Sequence, residues 1–162
     1  MDNNQQLIER FYQSFQRRDY RGMAACYHPE ATFKDEVFDL KNGREVAAMW
    51  HMLCESGKDL RIDFKEVEAG EQSGRAHWEA HYTFSRTGRR VHNVIEARFE
   101  FQDGKIIRHT DRFPFWRWAQ QAFGLTGWLL GWTPFLRNKV RDTAMGGLFR
   151  FMDQHAEYQQ TV

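Results

Sequence analysis

Long apolar runs, paired cysteines and a surplus of charge of either sign are all missing from this sequence. The longest apolar stretch, Gly124 to Trp132, is interrupted by glycine and threonine and falls short of the roughly 20 residues of a membrane span. The two cysteines, Cys26 and Cys54, stand far apart and form no C-x-x-C pair, so zinc and thioredoxin-type chemistry have no support, and reduced thiols on helices are expected. With 23 basic and 22 acidic side chains the net charge is +1, which leaves no electrostatic footprint for nucleic acid. The polar opening MDNNQQLIERFY lacks a basic region followed by an apolar one, so no signal peptide is expected and a cytoplasmic location is. Dinucleotide-binding, Walker and G-x-S-x-G motifs are absent, as are internal repeats and low-complexity stretches.

What the chain does have is rings. Phe, Trp and Tyr make up 15% of the 162 residues, enough for the core of one domain with some left over for a pocket lining or a subunit contact. Leu7, Ile8, Phe11, Tyr12 and Phe15 recur at helical spacing. Asp19 can cap a second helix over residues 20–27, and residues 31–38 read as a short extended piece. After the Asn42-Gly43 turn signal, residues 44–55 form a third helix with Val46, Met49, Trp50 and Leu53 on one side.

The period then changes from 3.6 to 2. Leu60, Ile62 and Phe64 alternate with polar residues, and Val67 follows after a one-residue slip. Ala76, Trp78, Ala80, Tyr82 and Phe84 alternate with His77, Glu79, His81 and Thr83, and a strand of the same kind runs from Val91 to Phe101. Asp103-Gly104 marks a hairpin into a last strand over residues 105–115. Helices followed by a four-strand antiparallel meander indicate an α+β domain. The sheet needs cover on both faces, which predicts a homodimer through the face the helices leave open.

The tail beyond residue 115 is apolar and basic. Thr133-Pro134 predicts a helix start, and Gly146-Gly147 a local weakening. Packing of Trp116, Trp118, Phe123, Trp128, Leu129, Leu130 and Trp132 on the domain or its dimer mate is the expectation; contact with a membrane surface is the rival reading, not the expected one.

His109 and Asp111 lie two apart on the last strand and point to one face, which Ile107, Phe113 and Phe115 share. A histidine and a carboxylate among apolar residues form either a general base with its partner or a structural hydrogen bond. Asp35 is a second carboxylate candidate, with a turn role as the alternative. Asn93 lies on the apolar side of its strand and either faces a pocket or is a satisfied core amide. Glu79 and His81 share a polar face that reads as solvent or a wet interface. The strand histidines look divided between faces, so no metal site is expected.

Three stretches in this order resemble the nuclear transport factor 2-like superfamily, which includes ketosteroid isomerase and the SnoaL-like polyketide cyclases: LIERFYQSFQRRDYRGMAACYHPEATFKD, NGREVAAMWHML and FQDGKIIRHTDRF. The resemblance covers roughly residues 7–115. It implies a domain over residues 1–115, a cone-shaped curved antiparallel sheet wrapped around N-terminal helices, with residues 116–162 as a helical extension. It implies an apolar pocket and cofactor-free isomerase, cyclase or hydrolase chemistry on an apolar small molecule, or else a non-catalytic binding or interaction module. The Asp of the cyclases' HxD pattern, their base, falls on Asp111, with His109 beside it. The isomerase base falls on Asp35. Phe11 stands where the isomerase has a tyrosine donor, with Tyr12 one position away. Asn93, Trp50, Phe113 and Tyr12 join Asp35 as expected substrate contacts. No convincing match exists for the Asp–Arg–Asp set of the limonene-epoxide hydrolases.

Overall fold

A computed structural model describes residues 3–160. The element order is α1 (Asn3–Gln16), α2 (Tyr20–Ala24), β1 (Tyr27–Lys34), β2 (Asp39–Leu40), α3 (Gly43–Ser56), β3 (Arg61–Ala69), β4 (Ser73–Phe84), β5 (Arg89–Gln102), β6 (Lys105–Arg112), α4 (Phe115–Phe123), α5 (Leu125–Leu130) and α6 (Pro134–Asp153), with a short 3₁₀ turn over Ala156–Tyr158. The six strands form one sheet in the order β2-β1-β6-β5-β4-β3. The architecture is α+β, with the expected meander as β3–β6. The meander is not the whole sheet: β1 pairs parallel to β6, and β2 pairs antiparallel to β1.

Local chemistry accounts for most boundaries. Asp19 accepts a hydrogen bond from the Gly22 amide at 3.0 Å and caps α2. Asn42 accepts from Glu45 N at 2.9 Å and starts α3. Thr133 caps α6 with Pro134 in the first turn. Asp103 and Gly104, both at positive φ, make the tight β5–β6 turn. The slip before Val67 is a bulge in β3, with Glu66 at φ 55° and a register shift between Lys65 and Glu68.

Several boundaries differ from the sequence reading. The second helix ends at Ala24, Cys26 lies in a turn, and Tyr27 already belongs to β1, because β6 takes up its backbone: Ile106 N donates to Cys26 O at 2.9 Å. β6 stops at Arg112, and Phe115 opens α4. Ile107 does not share the face of His109. The register shifts between Glu100 and Phe101, leaving Ile107 as the extra residue, and Ile106 points inward in its place. Helix α6 runs unbroken through Gly146 and Gly147.

The core lies between the inner sheet face and α1 and α3. Leu7, Ile8, Phe11, Tyr12 and Phe15 of α1 are all buried there, with Trp50 of α3, Trp78 of β4 and Phe99 of β5. A second, smaller cluster joins Val91 to Phe115, Trp118, Ala119, Ala122 and Leu136 of the tail helices. Val37, Tyr82 and Phe113 are half-buried and pack against both clusters. The outer sheet face carries a concavity of about 900 Å³ lined largely by charged residues, among them Arg75, Glu96, Arg98, Glu100, Arg108 and Arg112. The rings left over are therefore not on that face; they lie on the tail.

Candidate functional site

β6 carries His109 and Asp111 past the bulge onto the inner face, where they are 0% and 2% exposed. Five aromatic rings surround the imidazole: Phe11, Tyr27, Phe33, Trp50 and Phe99 have centroids between 4.3 and 6.2 Å from it. The parallel pairing of β1 with β6 puts Phe33 directly beside His109 and aims Tyr27 at it.

A chain of hydrogen bonds runs through this box in one direction. Trp50 Nε1–H, which can only donate, gives to the Tyr27 oxygen at 3.0 Å. Burial, then the nearby Asp111 charge, raises Tyr27 well above the usual phenol range, so its hydroxyl keeps its hydrogen. That hydrogen points to His109 Nδ1 at 2.7 Å. Nδ1 is then the acceptor, and the other ring nitrogen, Nε2–H, donates to Asp111 Oδ1 at 2.8 Å. Trp78 Nε1–H makes a longer approach to the same oxygen at 3.4 Å. Both bonds end on Oδ1, which leaves Oδ2 for a further proton or donor.

Tyr12 contributes the second feature. Its ring stacks on Phe64 at 5.3 Å and meets Trp78 and Phe99, and its hydroxyl is buried with no hydrogen-bond partner. Burial first, then the charge of Asp111, holds this phenol protonated. A buried donor without an acceptor is costly and rare. Here it lies within the electrostatic reach of Asp111.

Asp35 follows β1 and is half-buried. Its Oδ1 accepts from Val37 N at 2.7 Å and Phe38 N at 2.6 Å, which is a turn role. Burial nevertheless pushes its carboxyl up from 3.8 to about 7; those two bonds work against the rise, and the Asp111 charge adds to it. Asn93 is buried on the inner face of β5, opposite Ala80. Phe113 lies just past β6, between the two clusters. The structure thus brings His109, Asp111, Tyr12 and Trp50 together, places Asp35 within electrostatic range, and leaves Asn93 and Phe113 outside the hydrogen-bonded chain. Tyr27 and Trp78 are members that the sequence reading did not single out. Tyr27 had a signal: Tyr27, Ala31 and Phe33 share a period of two across Pro29, a residue that disfavours helix before it.

The strand histidines divide between the two faces as expected, with His109 inward. His77, His81 and His92 share the outer face, where the His81 and His92 rings stack at 4.0 Å. Glu79 bonds His77 at 2.9 Å and His92 at 2.6 Å, and these bonds hold its carboxyl below the usual range. Among the described residues, two groups bring possible metal ligands within 4.8 Å of one another, Glu79–His81–His92 and His51–Glu55–His155. Neither includes a residue of the buried chain, and His51 already bonds the Tyr158 hydroxyl at 2.8 Å.

The family model for the SnoaL-like domain matches residues 8–109. The chain belongs to the SnoaL-like domain family. Solved structures agree on the fold of this SnoaL-like protein. A nuclear transport factor 2-like protein of unknown function from Burkholderia pseudomallei superposes with a TM-score of 0.66 at 18% identity, covering 76% of this chain and 99% of that one. A candidate polyketide cyclase from Xanthomonas campestris gives 0.63 at 17%, covering 74% and 96%. An LEH-like epoxide hydrolase from M. tuberculosis gives 0.61 at 16%, covering 79% and 96%. No curated protein matches the sequence. At these identities the likeness is one of fold.

Proposed function

We propose that this SnoaL-like protein moves a proton on an apolar, carbonyl-bearing small molecule, without a cofactor. The observation that carries the reading is the one-way hydrogen-bond chain ending on Asp111 beside the unpartnered Tyr12 hydroxyl. Asp111 Oδ2 takes a proton from the carbon next to the carbonyl. The C–H electron pair moves through the carbon framework onto the carbonyl oxygen, and the Tyr12 O–H donates to the oxyanion that forms. His109, held in one tautomer by Tyr27, keeps the carboxylate oriented. Returning the proton at the same or another carbon completes an exchange or isomerisation, and attack by the carbanion on a second carbonyl would make a ring. In this reading Asp35, Asn93 and Phe113 serve as substrate contacts.

The near-complete burial of His109 and Asp111 favours a second reading, a binding module in which the pair is structural. One experiment separates the two. Apolar cyclic ketones that raise the melting temperature are incubated with the protein in D₂O, and deuterium uptake is followed by NMR. Uptake that Asp111→Asn abolishes in a folded protein supports proton transfer. Binding without uptake supports the module. The second copy expected from the sequence would pair across the outer sheet face, and sedimentation at micromolar concentration tests that.

A further inference from the structure

The short helix α5 is built inside out. Helix α5 packs on α4 through its smallest residues: a Cβ on Gly127 would collide with the Ala119 carbonyl, and one on Gly131 would lie 2.9 Å from Ala119 Cβ. The largest side chains of the same segment face away. Trp132 is 73% exposed, Leu125 72% and Phe135 68%, and Trp116, Trp128, Leu129 and Leu130 are exposed beside them. The backbone of this patch is well secured: Trp116 Nε1 donates to Trp128 O at 3.0 Å, and α4 is anchored to the sheet by Trp118 Nε1 on the Tyr82 hydroxyl at 2.8 Å. These rings are held outward by a packed scaffold rather than exposed by fraying.

The charge carried by the segment itself is basic. Residues 113–141 contain Arg117, Arg137, Lys139 and Arg141 and no acidic residue. The exposed β4–β5 turn and the start of β5 add Arg86, Arg89 and Arg90 and are fastened to the end of α4, where Thr87 Oγ1 donates to Ala122 O at 2.6 Å and Arg89 Nε to Gln121 O at 2.8 Å. Arg137 is offset by Glu36, and Arg90 lies 3.9 Å from Asp59; Arg86, Arg117 and Lys139 have no such partner among the described residues.

We propose that α4, α5 and the start of α6 form a docking surface for an anionic lipid membrane, with Trp128, Trp132, Leu125 and Leu129 entering the interface and Arg86, Arg117 and Lys139 on the headgroups. Tryptophan and arginine are the side chains suited to that boundary. No described helix is long and apolar enough to cross a membrane, so the contact lies on one leaflet. A second copy fits the patch less well, because two-fold pairing would set the same cations face to face. The proposal does not depend on the proton-transfer reading.

Flotation with phosphatidylcholine vesicles, with and without roughly a third phosphatidylglycerol, tests it. The wild-type protein is expected to float with the anionic vesicles, with a blue shift in tryptophan emission, and to release as salt rises. Leu125→Ser/Trp128→Ser/Trp132→Ser should lower binding at least about tenfold while melting temperature and circular dichroism hold. Arg86→Gln/Arg117→Gln/Lys139→Gln should lower it by about tenfold or more on anionic vesicles only. Wild-type protein that stays unbound to both vesicle types overturns the proposal. So does a serine variant that leaves flotation unchanged, or one whose only effect is to turn a dimer into a monomer, which would mark the patch as a self-contact.

Discussion

Asp35→Asn should remove a pH dependence that the wild-type protein carries. The folded carboxyl sits at about 7 instead of 3.8 because burial disfavours its charge. Between those two values the folded state holds a proton that the unfolded chain releases. Stability from this group is therefore full below about pH 4 and is lost as pH rises through 7. The slope is at most about 1.4 kcal/mol per pH unit, which sums to about 4 kcal/mol across the window as a ceiling and less for a half-buried side chain. Asparagine retains the Oδ1 that accepts from Val37 and Phe38, so the substitution removes the titration and keeps the turn. Urea unfolding of both proteins from pH 4.5 to 8 reads the difference. The wild-type curve should fall relative to the variant's, with the variant gaining on the order of 1–3 kcal/mol by pH 8. Because the Asp111 charge adds to the rise, Asp111→Asn should shift the fall to lower pH. Parallel curves for wild type and Asp35→Asn would refute the burial argument.

Three further outcomes follow from the buried chain and the tail. Tyr27→Phe strands Trp50 Nε1 and His109 Nδ1 together, and should cost about 1–3 kcal/mol in urea unfolding and change the His109 tautomer seen by ¹⁵N NMR. Tyr12→Phe removes a hydroxyl that has no partner, so stability should change by less than about 1 kcal/mol; any proton-transfer rate should fall about 10²–10³-fold. Gly127→Ala would gain roughly 1 kcal/mol from helix propensity alone, but the collision with Ala119 should reverse the sign, lower the melting temperature and speed amide exchange in α4 and α5.

How much of this could be read in the sequence depended on the range of the interaction that decided it. The apolar alternation of β4 and β5, the Asn42-Gly43 turn signal, the Thr133-Pro134 helix start and the Asp103-Gly104 turn are local, and each lies where the pattern put it. The pairing of His109 with Asp111 followed from strand geometry alone. What was illegible came from distant parts of the chain. Tyr27 reaches His109 only because β1 lies parallel to a strand 82 positions later. Ile107 loses its expected face to a bulge, which depends on a partner strand. Burial of Asp35, and the outward rings of α5, depend on how the tail folds back, for which no single segment carries a signal.

The parallel contact between β1 and β6 also constrains how the chain can be made. As the polypeptide leaves the ribosome, β1 has only the two-residue β2 to pair with until β6 emerges, and β6 is the last strand synthesised. Tyr27 and Phe33 therefore lack their β6 partners through the translation of the whole β3–β5 meander, although α3 can already pack on β1 and α2. Non-local closure of this kind is slow, and it leaves an open strand edge while it is pending. A nascent chain arrested before Lys105 has left the exit tunnel should be protease-sensitive along β1, and one released past Arg112 should gain protection there in a single step.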